Sequence, residues 1–405
     1  MTTKRIRVGA WLLGLFFPIL SFIHALFHPW DKNNKIYFVL FFTFVGLAFF
    51  YSGDSADIIK YIREYEYAFT MKGIGFLEFF RQRPDKQQID YYSAFMIWAV
   101  SRFTNNPKIF LGSLAMVFAL FFSASVNYVI NHIKNYRFAV LLLVVLIVTP
   151  RVILLTHRWW TALQIFLFGL LPVLFEKKYI KLLWCFASAF LVHFSFLYPL
   201  ILIIIALLLP KKVLWPYLLL YVVVSFMDSF DFGFLSPIIE AYLPDLTADR
   251  TMSYINYEHL EHNFFSQSAK IVMNIANLII VVVIYYTNKD NLNSNDRIRQ
   301  LYTTSLLIGS FASLAALTEW GWRFLDLSNM LFAVFYLSYL SEDCNYNKSI
   351  SLFKTLSPLF VYFILFQIRG FLTIIGPFQL MAGNYVTTWF LRDNQSVFDL
   401  IKQLF

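Results

Sequence analysis

The sequence predicts an all-α, polytopic integral membrane bundle, with about 10–14 transmembrane helices in a single domain over residues 1–405. Three observations predict it. Hydrophobic residues make up 59% of the chain and charged residues only 14%, against the roughly 25% charge typical of a soluble domain. The apolar residues come in long runs separated by short charged patches, as expected of helices that satisfy their own backbone hydrogen bonds in lipid. The runs are continuous rather than alternating, which excludes a transmembrane barrel. An ordinary soluble enzyme is excluded by the missing surface charge. A fibrous or disordered chain is excluded by the unexceptional counts of 14 Gly and 13 Pro.

Candidate spans lie at 8–28, 36–51, 89–104, 108–130, 138–156, 159–175, 180–193, 195–209, 213–227, 270–286, 301–317, 324–340, 355–368 and 371–391. The first follows Lys4, Arg5 and Arg7. It is longer than a signal-peptide core and has no small-residue cleavage site, so it is expected to stay as an anchor.

The net charge of +9 reads as topology rather than nucleic-acid binding, because Lys and Arg gather in cytoplasmic loops. His132 to Arg137, Glu176 to Lys181, Lys211-Lys212, and Arg297 with Arg299 are expected inside. Ile180 to Leu209 lies between two of these clusters, so it should go out and back as two short helices with a turn near His193. The turns at His157-Arg158 and Thr318–Arg323 then face outward, with the polar loop 228–268. A second polar loop, 52–88, has balanced charges. It is cytoplasmic if 89–104 spans the bilayer, as charge counting favours, and external if 89–104 is re-entrant. Cys185 and Cys344 sit in separate regions and imply neither a disulfide framework nor a thiolate metal site.

No phosphate-cradling loop, His-Glu-x-x-His or Gly-x-Ser-x-Gly motif is present, so no nucleotide, catalytic zinc or other cofactor is expected. The candidates for chemistry are ionisable residues in or beside apolar runs, which are costly in lipid: Arg151, His157, Arg158, His193, Glu319, Arg323, Asp326, Arg369 and Arg392. Each has a plainer reading. A terminal Arg snorkels to lipid phosphates, Glu319 or Asp326 pairs with Arg323, and Trp159-Trp160 and Trp320/Trp322 anchor at the interface. Arg158, His193 and Arg323 share the outer face, however. A guanidinium is a planar, permanently charged fork suited to phosphate, and a His can take a proton from a hydroxyl near neutral pH. Together they suit an anionic lipid-linked substrate such as a pyrophosphate.

Five stretches carry a family resemblance. They are Gly53-Asp54-Ser55-Ala56-Asp57 followed by Tyr61 and Tyr65; Asp90-Tyr91-Tyr92 through Phe103-Thr104-Asn105-Asn106; His157-Arg158-Trp159-Trp160-Thr161-Ala162; Val192-His193-Phe194-Ser195; and Trp322-Arg323-Phe324. In order and spacing, over residues 36–340, the chain resembles the EpsG-like branch of the Wzy-type polysaccharide polymerases. Trp159 stands where that family usually has Gln, and Asp90 where a Glu-Pro pair is commoner.

The resemblance implies a glycosyltransferase-C-like helical membrane enzyme that needs no metal. It would join undecaprenyl-pyrophosphate-linked oligosaccharide repeat units into a capsule, exopolysaccharide or O-antigen, on the outer face of the bacterial cytoplasmic membrane. It makes His193, Asp54 and Asp57 the catalytic candidates. Arg158, Arg323, His157, Glu319, Arg81 and Arg83 become the candidates for binding pyrophosphate or glycan. The expected partners are the lipid-linked donor and acceptor, membrane lipid, a flippase and a chain-length regulator, with no nucleic acid. The family also places the Asp54 segment outside, against charge counting. The alternatives are a lipid-linked glycan flippase and a glycan ligase. A flippase needs charges along a path through the helices, and the inner halves of the runs are nearly uncharged.

Overall fold

A computed structural model describes residues 8–27, 32–50, 56–83, 91–133, 156–209, 213–227, 264–318, 321–342, 346–390 and 393–404. Among the described residues every regular element is helical. Among the described residues four helices are long and apolar enough to cross a membrane: Pro107–His132, His157–Glu176, Ile271–Asp290 and Gly321–Glu342. Shorter apolar helices accompany them, and the chain is a multi-pass membrane protein. The candidate span 138–156 lies outside the described residues except at its last position, and the loop 228–268 does so up to residue 263. Contacts group the chain into two compact units, Met1–Leu197 with Gln367–Phe405, and Tyr198–Phe366. Each is described by itself.

In the first unit, the run 8–28 is not one helix. It forms α1 (Val8–Phe16) and α2 (Pro18–Phe27), interrupted where Pro18 cannot donate a backbone hydrogen bond. α3 (Lys32–Leu47) returns antiparallel to α2, with Phe22 stacked on Phe41 at 3.9 Å and Asn34 bonded to the Ala25 carbonyl at 3.0 Å. α3 also packs antiparallel against α7 (Pro107–His132): Phe38 meets Phe122, and Phe42 meets Phe118. Gly46 and Gly112 permit that close approach. A Cβ on Gly46 would stand 2.6 Å from the Leu111 carbonyl oxygen and 2.9 Å from Gly112 Cα.

α7 runs parallel to α8 (His157–Glu176). Phe121 contacts Phe168, and Tyr128 contacts both Phe175 and Glu176. The constant offset brings the start of α7 to the same end as the start of α8. At the opposite end Glu176 accepts hydrogen bonds from Tyr128 (2.7 Å) and His132 (2.9 Å) and pairs with Lys178. Lys177 adopts a left-handed conformation there (φ 57°) and reverses the chain. The return is a compound helix: a 3₁₀ turn Tyr179–Lys181, α9 (Leu182–Ala187) and a π turn Ser188–Val192. It lies antiparallel on α8, with Ser188 donating to the Ala162 carbonyl (2.7 Å) and Cys185 to that of Phe166 (3.4 Å). The expected turn near His193 is present, at the end of α8 that carries His157.

The polar loop expected at 52–88 is largely helical: α4 (Ala56–Thr70) and α5 (Phe76–Gln82). α4 forms because Ile58, Tyr61, Ile62, Tyr65 and Ala68 recur at helical spacing and are buried, while Lys60, Arg63, Glu66 and Tyr67 are exposed. Lys60, Arg63 and Glu66 mark an exposed face rather than an irregular loop, while Glu64 is buried.

The expected span at 89–104 is also corrected. It contains α6 (Tyr91–Ser101), which has 11 residues. At 1.5 Å per residue that is about 16 Å, half of a roughly 30 Å hydrocarbon core. Ser93, near its start, touches His157 at the head of α8 (3.3 Å). Thr104 and Asn106, just past its end, begin α7: Asn106 caps that helix by accepting from the Lys108 amide (2.9 Å), with Pro107 in the first turn. Both ends of α6 therefore lie at one end of the α7/α8 pair. This is the geometry expected of the re-entrant alternative. The run 371–391 is likewise not a span; it holds two short helices, α17 (Pro377–Ala382) and α18 (Thr387–Phe390). Asp393 caps the first, accepting from the Phe378 (3.0 Å) and Gln379 (3.2 Å) amides.

The second unit contains α10 from Tyr198 onward (the helix is Leu197–Leu208), α11 (Trp215–Ser225), α12 (Phe264–Ser294, broken at Asn288), α13 (Asp296–Ala315), α14 (Phe324–Glu342), α15 (Tyr346–Thr355) and most of α16 (Ser357–Leu372). α13 and α14 are antiparallel: Phe311 meets Phe324 (4.9 Å), Tyr302 meets Phe335, and Arg297 pairs with Glu342. α12 is tied to α14 by Asn277, which donates to Asn329 (2.8 Å) and accepts from Tyr336 (2.9 Å).

Candidate functional site

At the head of α8, His157 is 1% exposed. Its Nε2 lies 3.3 Å from Ser93 Oγ, and its ring meets the Tyr61 ring edge-on at 4.5 Å. The next residue, Arg158, is half-buried and holds its guanidinium 5.6 Å from the centre of the Tyr61 ring. Tyr61 on α4 thus supports both neighbours: one ring edges onto the histidine and attracts the cation. Tyr65, one turn along α4, stacks on Phe110 (4.8 Å) and donates to the Thr104 carbonyl (2.5 Å). Burial pushes its phenol up to about 12. α4 is therefore fixed to the start of α7 by one tyrosine and to the start of α8 by the other.

Arg102 locks the same layer. Its guanidinium donates to the Ala68 and Met71 carbonyls, each at 2.6 Å, and so neutralises the C-terminal end of α4. Tyr61, Ser93 and Arg102 were not site candidates from sequence. For Tyr61 the signal is its i, i+4 pairing with Tyr65 on an otherwise charged helix; no sequence pattern singles out Ser93 or Arg102. Trp159 and Trp160, expected as interfacial anchors, are instead interior, 2% and 1% exposed, with Trp159 against Phe196 at 5.4 Å.

His193 has extended backbone (φ −154°) and caps the 3₁₀ turn Phe194–Phe196. Its Nδ1 accepts from the Ser195 amide (3.3 Å) and hydroxyl (2.7 Å). An amide only donates, so Nδ1 carries no proton in this arrangement and the neutral ring carries it on Nε2. The pairing of Ser188 with Ala162 and Cys185 with Phe166 continues in register to put His193 level with the first turn of α8. Arg158 and His193 thus share one end of the first unit, opposite Glu176, Lys177 and Lys178.

Arg323 belongs to the second unit. It ends the 3₁₀ turn Gly321–Arg323 and immediately precedes α14, with Asp326 in that helix's first turn. The turn folds back on the end of α13: a Cβ on Gly321 would stand 1.8 Å from the Ala315 carbonyl oxygen, and Thr318 accepts from the Gly321 amide at 3.2 Å. Arg323 is half-buried, and the antiparallel α13/α14 pair puts it at the end opposite Arg297 and Arg299.

Of the remaining candidates, Arg81 and Arg83 have described side chains. Arg81 is exposed on α5. Arg83, two residues on, is 2% exposed and sits 4.3 Å over the Phe80 ring. Asp57 falls in the first turn of α4, with its side chain outside the described set, and Asp54 and Glu319 lie outside the described residues. Among the described residues no cluster of three His, Cys, Asp or Glu could hold a metal.

The family model for the EpsG family matches residues 34–392. The chain belongs to the EpsG family. This is a Wzy-like polysaccharide polymerase family, so the match spans α3 to α18 and includes every described candidate. No curated protein and no solved structure matches the chain. Within this EpsG-family chain the five motif stretches take on physical meaning. The Thr-Asn-Asn turn is the cap of α7, the His-x-Ser turn is a histidine-capped reversal, and the Arg-led stretch is the head of α8 under α4.

Proposed function

We propose that this EpsG-family protein polymerises undecaprenyl-pyrophosphate-linked oligosaccharide repeat units on the outer face of the bacterial cytoplasmic membrane, in making a surface polysaccharide such as a capsule, exopolysaccharide or O-antigen. The observation that carries the reading is the head of α8: Arg158, supported by Tyr61 and beside the His193 turn, at the end opposite the Glu176-Lys177-Lys178 cluster. Basic clusters favour the cytoplasm, which supports the outward assignment of the other end.

In this reaction a hydroxyl oxygen of the acceptor unit attacks the anomeric carbon of the donor. The new glycosidic C–O bond forms as the C–O bond to the pyrophosphate breaks. Polyprenyl pyrophosphate leaves with the electron pair, and the hydroxyl proton passes to a base. Arg158 binds the pyrophosphate and stabilises the charge that grows on it. Arg323 offers the same chemistry from the head of α14. His193 in its Nδ1–H tautomer, or an acidic residue such as Asp54 or Asp57, takes the hydroxyl proton. No metal is needed if the arginines neutralise the leaving group.

The test is deletion of the gene followed by gel analysis of surface polysaccharide and lipid-linked intermediates. Single repeat units on outward-facing lipid support the polymerase. Unflipped units at the inner face would indicate a flippase, and free, unattached polymer a ligase.

A further inference from the structure

We propose that Ser188 is a positioning residue that holds His193 in register with Arg158, an inference that rests on the polymerase reading. Ser188 is 0% exposed, and it is bonded in two directions. Its hydroxyl donates to the Ala162 carbonyl at 2.7 Å. Its own carbonyl accepts from the His193 amide at 2.9 Å. Ala162 follows Arg158 by four residues in α8, and residues at that spacing lie on one face, a turn apart. One buried serine therefore joins the backbone of His193 to the turn of α8 next to the arginine.

The bond to His193 reaches back five residues and closes the π turn Ser188–Val192. In a continuous α-helix the Ser188 carbonyl would take the Val192 amide instead. His193 would then come one residue later, about 100° round the axis and about 1.5 Å further along it. Single π turns inside α-helices are frequent at functional sites, and here the turn selects which residue is presented. The chain is fastened to α8 again just past the histidine. Phe196 is buried against Trp159, the neighbour of Arg158, and against Phe166, each at 5.4 Å. His193 is thus held between two attachments to α8, and Ser188 is the one that sets its approach. In the polymerase reading Arg158 meets the leaving pyrophosphate and His193 the attacking hydroxyl, both at one anomeric carbon. A displacement of about 1 Å between such groups costs on the order of 100-fold in rate.

The test is Ser188→Ala in the full-length protein in phospholipid nanodiscs, with two readouts. The first is hydrogen exchange of peptides covering residues 188–196, which needs no turnover. The His193 amide should be protected in the wild type, and Ser188→Ala should speed its exchange by about tenfold while peptides at the Glu176 end stay unchanged. The second is kinetic, with lipid-linked repeat units extracted from a strain lacking the gene. Ser188→Ala should lower kcat by about 100-fold and leave KM for those units within about threefold. Ser188→Cys keeps a weak donor of similar size and should recover part of the rate. Unchanged exchange at His193 overturns the proposal. So does a loss carried by KM, or a lower Tm with unchanged kcat, which is what a merely structural serine gives. An unprotected His193 amide in the wild type overturns it as well, so a variant that fails to fold does not decide the matter. A wild-type protein that makes no polymer refutes the polymerase reading, and exchange still decides whether Ser188 holds His193.

Discussion

The two units each carry one candidate arginine at the head of a long apolar helix, but they hold it differently. In the first unit the support is distant in sequence. Arg158 leans on Tyr61, and the histidine beside it on Ser93, through helices folded over the head of α8. In the second unit the turn that carries the arginine is built locally. The turn before Arg323 fits only because Gly321 has no Cβ against the Ala315 carbonyl. A guanidinium at a membrane protein's edge is flexible and costs side-chain entropy to fix. The difference shows two ways to place such a residue, one under an aromatic ring from a distant helix, the other on a backbone turn three residues long.

The contrast can be broken most severely at the arginine of the local design. Arg323→Ala is expected to cut polymerisation by about 100-fold or more, the usual scale for losing a donor to developing negative charge, with normal membrane insertion. Retained polymer length on a gel would remove Arg323 from the chemistry. Gly321→Ala should act next most strongly, because the added methyl must displace the end of α13. A destabilisation of about 1–3 kcal/mol should appear as a lower Tm in detergent, with reduced polymer. An unchanged Tm would contradict local support.

Tyr61 sharpens the distant design. Tyr61→Ala removes a cation–π contact of about 0.5–2 kcal/mol and should reduce activity by roughly tenfold through Arg158, mostly in KM for the donor. Tyr61→Phe keeps the ring and should stay within about threefold of wild type. Equal loss in both variants would assign the effect to the hydroxyl instead.

The smallest effect concerns Tyr65. Its phenol is raised from 10.0 to about 12 by burial, so the folded state favours the protonated form. The stability that goes with burying the neutral phenol is then fully present below pH 10 and is lost as pH rises toward 12. Tyr65→Phe should cost about 1 kcal/mol and remove that alkaline step from a Tm–pH curve. A step that survives the substitution belongs to another group.

The long helices were legible because lipid demands continuous apolar runs: α7, α8, α13 and α14 stand close to where composition places them. The direction of α6 was not. Hydropathy reports that residues 89–104 are apolar, and balanced charges nearby leave the positive-inside rule silent. Only the contact of Ser93 with His157 and the capping of α7 by Asn106 show that both ends of α6 return to one side. The amphipathic α4 was hidden for a related reason, since its charges masked a buried stripe of Ile58, Tyr61, Ile62 and Tyr65.

Within the site, the motif stretches were visible as a family likeness, but the work of each side chain was not. Arg81 and Arg83 look alike in sequence, yet the end of α5 between them leaves one exposed and buries the other on Phe80. His193 reads as a base, and the structure adds that its Nδ1 is bonded to Ser195. A capping role for a His two residues before a Ser was readable in principle, from the preference of turn residues for bonding their own backbone.

The central claim is that Arg158, held by Tyr61, is the phosphate-binding group of a polymerase. Its most direct test is the polymer made by Arg158→Lys in a strain lacking the native gene, with membrane insertion verified. Lysine keeps the charge and loses the planar fork, so the account predicts single repeat units with almost no long-chain polymer. Wild-type chain lengths from a fully inserted Arg158→Lys protein would contradict it.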